Sequence, residues 1–258
     1  MWRAILLGMV QGLSEFLPIS SSGHLIILRN FFGLVSQEGQ WEVVLHGGTL
    51  LAIIAGYRHD LISVMRGAIQ GQNSDRKTVA LIVTATVPAL MVGYSLKMWI
   101  TQWFIPLGAG AGWLATTAAL WMTPHSGYGT REIKDMSWLE TFVIGVAQAM
   151  ALWPGLSRSG STIFAGRVLG LSPQEAARFS FYMAIPVTVG AMVLTFSSVS
   201  PFANISLSAM AIGVGVAAIS GVFAIEWVKR ALEATRLWRQ FGWYTLILGL
   251  VTLWLGGL

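Results

Sequence analysis

The amino-acid sequence predicts an all-α, polytopic membrane protein in which six transmembrane helices and two re-entrant helical hairpins form an inverted-topology repeat. Only 10% of its 258 residues are charged and 55% are hydrophobic, whereas a soluble domain carries about 25% charged residues. Several apolar runs approach the roughly 20 residues that a helix needs to cross a bilayer. Two polar segments, one in each half of the chain, also have similar sequences.

These two segments are residues 8–34 and 145–171, and they align without gaps. The identical pairs are Gly8/Gly145, Gln11/Gln148, Ser20/Ser157, Ser22/Ser159, Gly23/Gly160, Ile26/Ile163, Gly33/Gly170 and Leu34/Leu171. Proline and glycine interrupt each apolar run, and irregular backbone survives at membrane depth only where protein or a water-filled cavity satisfies it. We therefore expect two re-entrant hairpins, at about residues 5–34 and 142–171.

Six further apolar runs are the predicted membrane spans. They cover residues 41–57, 78–99, 104–122, 175–197, 206–226 and 242–258. Because three spans separate the two hairpins, the repeats at 1–122 and 138–258 should have opposite orientations within one membrane domain, 1–258. Duplicated, broken helices in inverted halves typically form a site at the interface between the repeats.

The distribution of Lys and Arg predicts how this domain is oriented. One set of loops holds Arg58, Arg66, Arg76, Lys77, Arg131, Lys134, Lys229, Arg230, Arg236 and Arg239. The loops assigned to the other face, 35–40, 100–103 and 198–205, hold no Lys or Arg. The positive-inside rule places the basic loops in the cytoplasm. Topology therefore accounts for the net charge of +5, and we expect no nucleic-acid partner.

The first hairpin carries residues suited to acid–base chemistry. Gln11 and Glu15 lie one helical turn apart and share a face; Glu15 can act as a base or metal ligand, and Gln11 can coordinate or hydrogen-bond. The Ser-Ser-Ser-Gly run at 20–23 can expose backbone N–H groups at a helix start, where anions bind. His24 can carry a proton near neutral pH or attack phosphorus itself. The chain has no cysteine, which excludes a thiol nucleophile.

The second hairpin carries a cation instead. Arg158 is suited to bidentate recognition of phosphate, and an arginine in an otherwise apolar segment should face a cavity or a partner. The surrounding run, 154–162, adds several hydroxyls and backbone N–H groups. The two hairpins together predict an oxyanion site, with acid–base residues from the first and phosphate-binding groups from the second.

Structural roles for the same residues remain open from the sequence. Serine and glycine let transmembrane helices approach closely, so many of these serines could be packing residues. Glu15 and Arg158 could form a structural ion pair. His46, on an apolar helix, could hydrogen-bond a neighbour or take part in catalysis, with Glu42 four residues earlier as its partner or as a ligand.

The two motifs GLSEFLPISSSGH and PGLSRSGST resemble the signature sequences of the undecaprenyl-diphosphate phosphatase family, the bacitracin-resistance type of integral membrane phosphatase. The segments WEVVLHGGTLLA and FSFYMAIPV, the chain length and the motif spacing fit as well. The resemblance implies hydrolysis of a polyprenyl diphosphate to the monophosphate, which recycles the lipid carrier for cell-wall glycan synthesis. It also implies a plasma-membrane location, an active site open to the outer face and a divalent metal, Mg²⁺ or Ca²⁺.

Mapped on this chain, the resemblance assigns roles to particular residues. The catalytic candidates are Glu15, Ser21, His24 and Arg158; the metal-binding candidates are Glu15 and Gln11; the substrate-binding candidates are Ser20, Ser22, Gly23, Gly155, Ser157, Ser159, Gly160 and Thr162. Ser21 is the first choice of nucleophile, with Glu15 or His24 as its base, and a phosphohistidine on His24 is the second. Gln11 and His46 stand where many members carry Glu and Gln, which indicates an archaeal-like or divergent branch.

Two other functions share some of these sequence features. A polyprenyl-phosphate transporter or flippase would use the same inverted-repeat architecture. The Ser-Arg pair of this chain is similar to part of the pattern of the phosphatidic-acid type of membrane phosphatase, which is Lys-x₆-Arg-Pro followed by Ser-Arg-x₅-His. In this chain, however, Phe164 stands where that histidine would lie. The expected partners are the diphosphate lipid, membrane lipids and, by analogy with other polytopic proteins of this size, a second copy of the chain in a homodimer.

Overall fold

The computed structural model describes residues 1–32, 40–125, 127–196 and 206–256. Within these ranges the chain is helical, and its one β-bridge joins Arg131 to Leu171, so the predicted all-α fold is confirmed. The loops predicted at 35–40 and 198–205 lie outside the described residues, apart from the backbone of Gln40, as do the repeat pair members Gly33 and Leu34 and the last two residues of the sixth span.

Twelve α-helices are present in the described ranges. They are α1 (Trp2–Phe16), α2 (Ser21–Phe31), α3 (Gln40–Gly56), α4 (Arg58–Ile69), α5 (Asn73–Ser95), α6 (Lys97–Thr101), α7 (Pro106–Met122), α8 (Trp138–Met150), α9 (Arg158–Val168), α10 (Pro173–Phe196), α11 (Leu207–Glu233) and α12 (Thr235–Gly256). Each predicted span contains a helix. Among the described residues, three segments are long and apolar enough to cross a membrane: Asn73–Ser95, Pro173–Leu194 and Leu207–Glu233.

Two features of the helix pattern differ from the sequence prediction. The segment after α3, taken as a polar loop, forms the separate helix α4, and α11 and α12 meet at residue 234 instead of being joined by a loop over 227–241. Both segments are rich in charged residues, which mark the membrane boundary but do not prevent a helix. Long, straight-chain Arg and Lys are themselves good helix formers.

Each predicted hairpin is a pair of helices joined by a short turn: α1 with α2, and α8 with α9. The second helix of each pair begins at an equivalent serine. Ser20 accepts the backbone N–H of Gly23 at 3.4 Å, and Ser157 accepts that of Gly160 at 3.1 Å. A serine that accepts this hydrogen bond satisfies one of the free N–H groups at a helix start. The duplicated Ser-x-x-Gly spacing therefore defines where α2 and α9 begin.

The hairpins pack across the molecule. Helix α1 lies along α11, α8 along α5, and α7 along α12. A Cβ atom on Gly8 would lie 2.5 Å from the carbonyl oxygen of Gly213, and one on its repeat partner Gly145 would lie 2.6 Å from that of Ala85. Only glycine permits such close backbone contact. The same duplicated position thus serves the same purpose in both halves.

A buried apolar core includes the end of α1. The ring of Phe16, the last residue of α1, packs edge-to-face on Phe181 of α10, with ring centroids 5.4 Å apart. Both side chains are fully buried. The residues just before them, Glu15 and Ser180, are therefore held in position next to this core.

Candidate active site

The carboxylate of Glu15 is the point at which the two hairpins meet. Its side chain, in the last turn of α1, is only 10% exposed. Oε2 accepts hydrogen bonds from Gln11 Nε2 at 3.0 Å and from Ser21 Oγ at 2.7 Å. Oε1 accepts one from Nη2 of Arg158 at 2.9 Å. Three of the four catalytic candidates are therefore in direct contact.

The guanidinium of Arg158 bridges Glu15 and α10. Nη2 contacts Glu15, while Nη1 donates to the backbone carbonyl of Ser180 at 3.1 Å. The planar fork of an arginine suits such a two-sided contact, because its donors diverge at fixed angles. Arg158 is the first residue of α9, so its position follows directly from the turn that begins that helix.

His46 on α3 is a neighbour of the same carboxylate. Its Nε2 lies 3.6 Å from Glu15 Oε2, and its Nδ1 lies 2.5 Å from the backbone carbonyl oxygen of Glu42. The Glu42 carboxylate instead pairs with Arg29 at 2.9 Å. The partner of His46 within α3 is therefore the backbone of Glu42 and not its side chain, and His46 presents its second ring nitrogen to the Glu15 cluster.

His24 is held away from the Glu15 carboxylate by a different set of contacts. Its Nδ1 lies 2.7 Å from the carbonyl oxygen of Ser20, and its Nε2 lies 2.7 Å from the hydroxyl of Tyr244 on α12. The two rings stack, 7° from parallel, and Trp113 packs against the His24 ring edge-on. Tyr244 was missed by sequence reasoning, because nothing in an apolar helix more than 200 residues away marks it as a partner.

The four duplicated serines make hydrogen bonds within each hairpin and between the two hairpins. Ser20 and Ser157 cap α2 and α9, and each also lies 3.2 Å from the hydroxyl two residues later. Ser22 accepts the backbone N–H of Gly155 at 3.4 Å, and Ser159 donates to the carbonyl of Leu17 at 3.3 Å. Each hairpin therefore hydrogen-bonds the turn of the other. These substrate-binding candidates take part in internal contacts of the hairpin framework.

The remaining substrate-binding candidates contact Arg158 or lie in and next to the turns of the hairpins. Thr162 is buried, and its hydroxyl contacts the Arg158 carbonyl at 2.8 Å and the Ser180 hydroxyl at 2.7 Å. Gly155 adopts a positive φ of 81°, which suits glycine. Gly23 and Gly160 provide the N–H groups that the capping serines accept.

The oxygen atoms around Glu15 are of the kind that binds a small, hard cation. They are carboxylate, amide and hydroxyl oxygens, the ligands that Mg²⁺ and Ca²⁺ prefer. Gln11 Oε1 is buried and has no hydrogen-bond partner among the described residues. Those residues contain no group of three or more His, Asp or Glu side chains arranged for a metal. Mg²⁺ is commonly held by one or two carboxylates together with substrate phosphates, so a site built on Glu15 and Gln11 fits that ion.

Comparison with known proteins assigns the chain to a family. The model described as bacitracin resistance protein BacA matches residues 4–251. Relatives named undecaprenyl-diphosphatase include one from Desulfosudis oleivorans, 39% identical over 98% of both chains. Others come from Rhodopirellula baltica, 35% identical over 96% of this chain and 95% of the relative, and from Methanobrevibacter smithii, 33% identical with the same coverage. This multi-pass membrane protein, whose two hairpins meet at Glu15, therefore belongs to the BacA family.

Proposed function

We propose that the protein hydrolyses a polyprenyl diphosphate, of the undecaprenyl type, to the monophosphate and inorganic phosphate. The observation that carries this proposal is the contact of a serine hydroxyl and an arginine with one carboxylate, contributed by two hairpins. The relatives described above are named for this activity. The reaction returns a lipid carrier for the synthesis of cell-envelope glycans and accounts for a role in bacitracin resistance.

The first chemical step is the attack of Ser21 Oγ on the terminal phosphorus. The hydroxyl proton passes to Glu15 Oε2, which lies 2.7 Å away, and the bond from phosphorus to the bridging oxygen breaks to release the polyprenyl monophosphate. Glu15 passes this proton to an oxygen of the departing monophosphate and is a carboxylate again. Water then attacks the phosphoserine, Glu15 accepts a proton from the water and returns it to Ser21 Oγ, and the bond from phosphorus to Oγ breaks as phosphate leaves. A carboxylate within hydrogen-bond reach is the geometry that a general base requires.

Ser21 is favoured over His24 as the nucleophile. Both ring nitrogens of His24 are hydrogen-bonded, to the Ser20 carbonyl and the Tyr244 hydroxyl. Ser21, in contrast, already contacts its base. The stacked pair of His24 and Tyr244 borders the hairpin turn and can position or protonate a phosphate oxygen after one of these bonds opens.

Arg158 neutralises charge on the transferred phosphoryl group. Its guanidinium carries five N–H donors, more than the two bonds it makes to described residues. Phosphoryl transfer depends mainly on positioning and charge neutralisation, and an arginine at the phosphate supplies both. The contact with Glu15 keeps the cation beside the nucleophile before the substrate binds.

Glu15 and Gln11 are the residues that would hold Mg²⁺ or Ca²⁺. A divalent cation bound there supplies charge neutralisation to the diphosphate oxygens. Gln11 contributes a neutral amide, so Glu15 is the single carboxylate of this pair. His46, 3.6 Å from the Glu15 carboxylate, borders the same space.

The proposed orientation places the Lys- and Arg-rich loops in the cytoplasm and opens the site towards the outer face of the membrane. The absence of Lys and Arg from the loops predicted at 35–40, 100–103 and 198–205 supports it. Apolar helices of the two halves would receive the polyprenyl chain. No finding supports a transporter or flippase, and the relatives named here are phosphatases.

Phosphate release from a polyprenyl diphosphate by the purified protein tests this function. We expect release that stops with EDTA and returns with Mg²⁺ or Ca²⁺. Ser21→Ala should lower it by at least about a hundredfold, because the nucleophile is lost. Ser220→Ala, which removes a hydroxyl on α11 bonded to the Val216 carbonyl, is the matched control. Near-normal release by Ser21→Ala in folded protein would exclude the serine mechanism; no release by the unaltered protein would exclude the function.

A further inference from the structure

Helix α4, Arg58–Ile69, lies outside the proposed catalytic site and has a distinct position at the membrane boundary. Helix α3 ends at Gly56 and α5, long and apolar enough to cross a membrane, begins at Asn73. The 12 residues of α4 are too few to cross a bilayer themselves. Because α3 lies in a predicted span as well, we infer that α4 connects the two on one face and lies at the surface of the membrane.

Helix α4 is fixed in place by its neighbours. Val64 and Gly67 are buried against the rest of the protein, and the Nε of Arg76 donates to the carbonyl of Ala68 at 3.0 Å. The face of the helix that points outward is therefore set by packing, and the side chains on that face form a preorganised surface.

The outward face of α4 has an apolar stripe beside a polar one. Ile62, Met65 and Ile69 follow each other at helical spacing, and their exposed fractions are 56%, 52% and 78%. The adjacent stripe holds His59, Ser63, Arg66 and Gln70. Apolar side chains this exposed at three successive turns are costly in water, and a helix with such a division typically lies in the membrane interface.

Two shallow, open depressions on the surface follow these stripes and share one arginine. The first, of about 450 Å³, lies on α4 itself, between apolar side chains that include Ile62 and Ile69 and the side chain of Arg66. The second, of about 400 Å³, has Arg66 together with His59 and Gln70 in its wall. The Arg66 guanidinium makes no hydrogen bond or ion pair with the residues that the structure describes. An apolar depression thus adjoins a polar one, with an unpaired cation between them.

We propose that α4 binds an anionic phospholipid, with an acyl chain along Ile62, Met65 and Ile69 and the head-group phosphate at Arg66. The chemistry of the surface matches both parts of such a lipid: an exposed apolar stripe for the chain and a guanidinium with polar neighbours for the phosphate. Lipid is available at this position, because α4 joins helices of the membrane domain. Basic residues near a membrane surface favour anionic over zwitterionic lipids.

The absence of cysteine allows one labelled position to report on this site. The full chain carrying Ile69→Cys, labelled with the fluorophore NBD, is placed in nanodiscs that contain nitroxide-labelled phosphatidylglycerol or phosphatidylcholine at equal mole fractions. We expect quenching by the anionic lipid at about fivefold lower mole fraction, the ratio that corresponds to about 1 kcal/mol for one arginine at an anionic surface. Arg66→Gln should abolish the preference, and added salt should reduce it.

Arg239→Gln is the matched control, because Arg239 is an exposed arginine in the first turns of α12, in another basic segment assigned to the same face. It should keep the preference for phosphatidylglycerol. Equal quenching by the two lipids in the unaltered background, or equal loss of preference in both arginine variants, would overturn the site at Arg66. The absence of quenching by either lipid would show that α4 does not contact the membrane and would overturn the proposal as a whole. The melting temperature of the labelled protein, compared with that of the unaltered chain, provides the check of folding.

Discussion

A single carboxylate, Glu15, organises the polar residues at the meeting point of the hairpins. It receives hydrogen bonds from Gln11, Ser21 and Arg158, while His46 approaches from α3. In the gapless alignment of the two copies, Leu152 takes the place of Glu15 and Arg158 takes that of Ser21. The two copies are therefore similar in their framework and different in their polar groups: one provides the Glu15 carboxylate and the Ser21 hydroxyl, which are the proposed base and nucleophile, and the other provides the Arg158 guanidinium.

Removal of Arg158 should affect both stability and activity. Arg158→Ala leaves the Glu15 carboxylate, only 10% exposed, without its cation, which typically costs about 3–5 kcal/mol. The measurement is thermal unfolding in detergent together with phosphate release. The double variant Glu15→Gln/Arg158→Ala should recover most of the stability that Arg158→Ala loses, but none of the phosphate release. Equal instability of the single and double variants would contradict a charge-based explanation.

A second carboxylate at position 11 tests the metal site through stability as well as activity. Gln11→Glu places a like charge beside Glu15, where Nε2 of Gln11 now donates a hydrogen bond at 3.0 Å. We expect a lower melting temperature in EDTA and recovery with Mg²⁺ or Ca²⁺, because a divalent cation removes the repulsion. Gln148→Glu, the repeat equivalent without an adjacent carboxylate, is the control. Recovery of that variant by metal to the same extent would argue against a site at Glu15.

At the scale of helices and turns, the hairpin framework depends on very close backbone contact. Gly155 in the second turn has a positive φ, and a Cβ atom there would lie 2.0 Å from the carbonyl oxygen of Ala109 on α7. The turn that precedes Arg158 is thus pressed against α7, and the hydroxyl of Thr116 on α7 accepts the N–H of Ser157 at 2.9 Å. These contacts determine where α9 begins and where Arg158 lies.

Gly155→Ala should therefore displace Arg158 and destabilise the protein. The left-handed backbone alone costs a residue with a side chain about 1–2 kcal/mol, and the contact with Ala109 adds to this. Gly215→Ala on α11 is the control, since a Cβ atom there would meet nothing within 4 Å. The melting temperature and the rate of phosphate release should both fall for Gly155→Ala. Both should stay unchanged for Gly215→Ala. An unchanged melting temperature for Gly155→Ala would contradict the tight packing of the turn.

In the whole molecule, helices of each half pack against helices of the other half. Helix α1 of the first half packs on α11 of the second, and α8 of the second packs on α5 of the first. In the same way α3 packs on α11 and α10 on α5. These reciprocal contacts support the proposed inverted repeat, since each element and its counterpart meet corresponding partners. Such an arrangement brings the two hairpin turns to one site.

The proposed orientation can be measured with single cysteines in this cysteine-free chain. Ser74→Cys lies at the start of α5, beside the basic residues Arg76 and Lys77, and Thr101→Cys lies in α6; both positions are exposed. In intact cells a membrane-impermeant maleimide should label position 101 only, because the basic face is cytoplasmic. After the cells are opened, both should react. The reverse pattern would show that the charge distribution was misinterpreted.

The residue pattern alone predicted the helical membrane class, which the structure confirms, and two helix pairs joined by short turns; it also marked Glu15 and Arg158 as candidate site residues. Helical spans follow from the length of apolar runs, and charged residues inside such runs are costly enough to indicate a site. The duplicated serines were also found, but their capping and cross-hairpin bonds emerged only from the structure.

Which of these residues are in contact follows from the packing of the helices and not from the local sequence. That packing placed Ser21 and Arg158 on the same carboxylate, brought His46 beside it, and paired His24 with Tyr244, which no local pattern marks. The structure also showed that the presumed loop after α3 is an amphipathic helix. The physical reason is that periodicity and polarity act locally, whereas contacts between residues far apart in the chain depend on how whole helices pack.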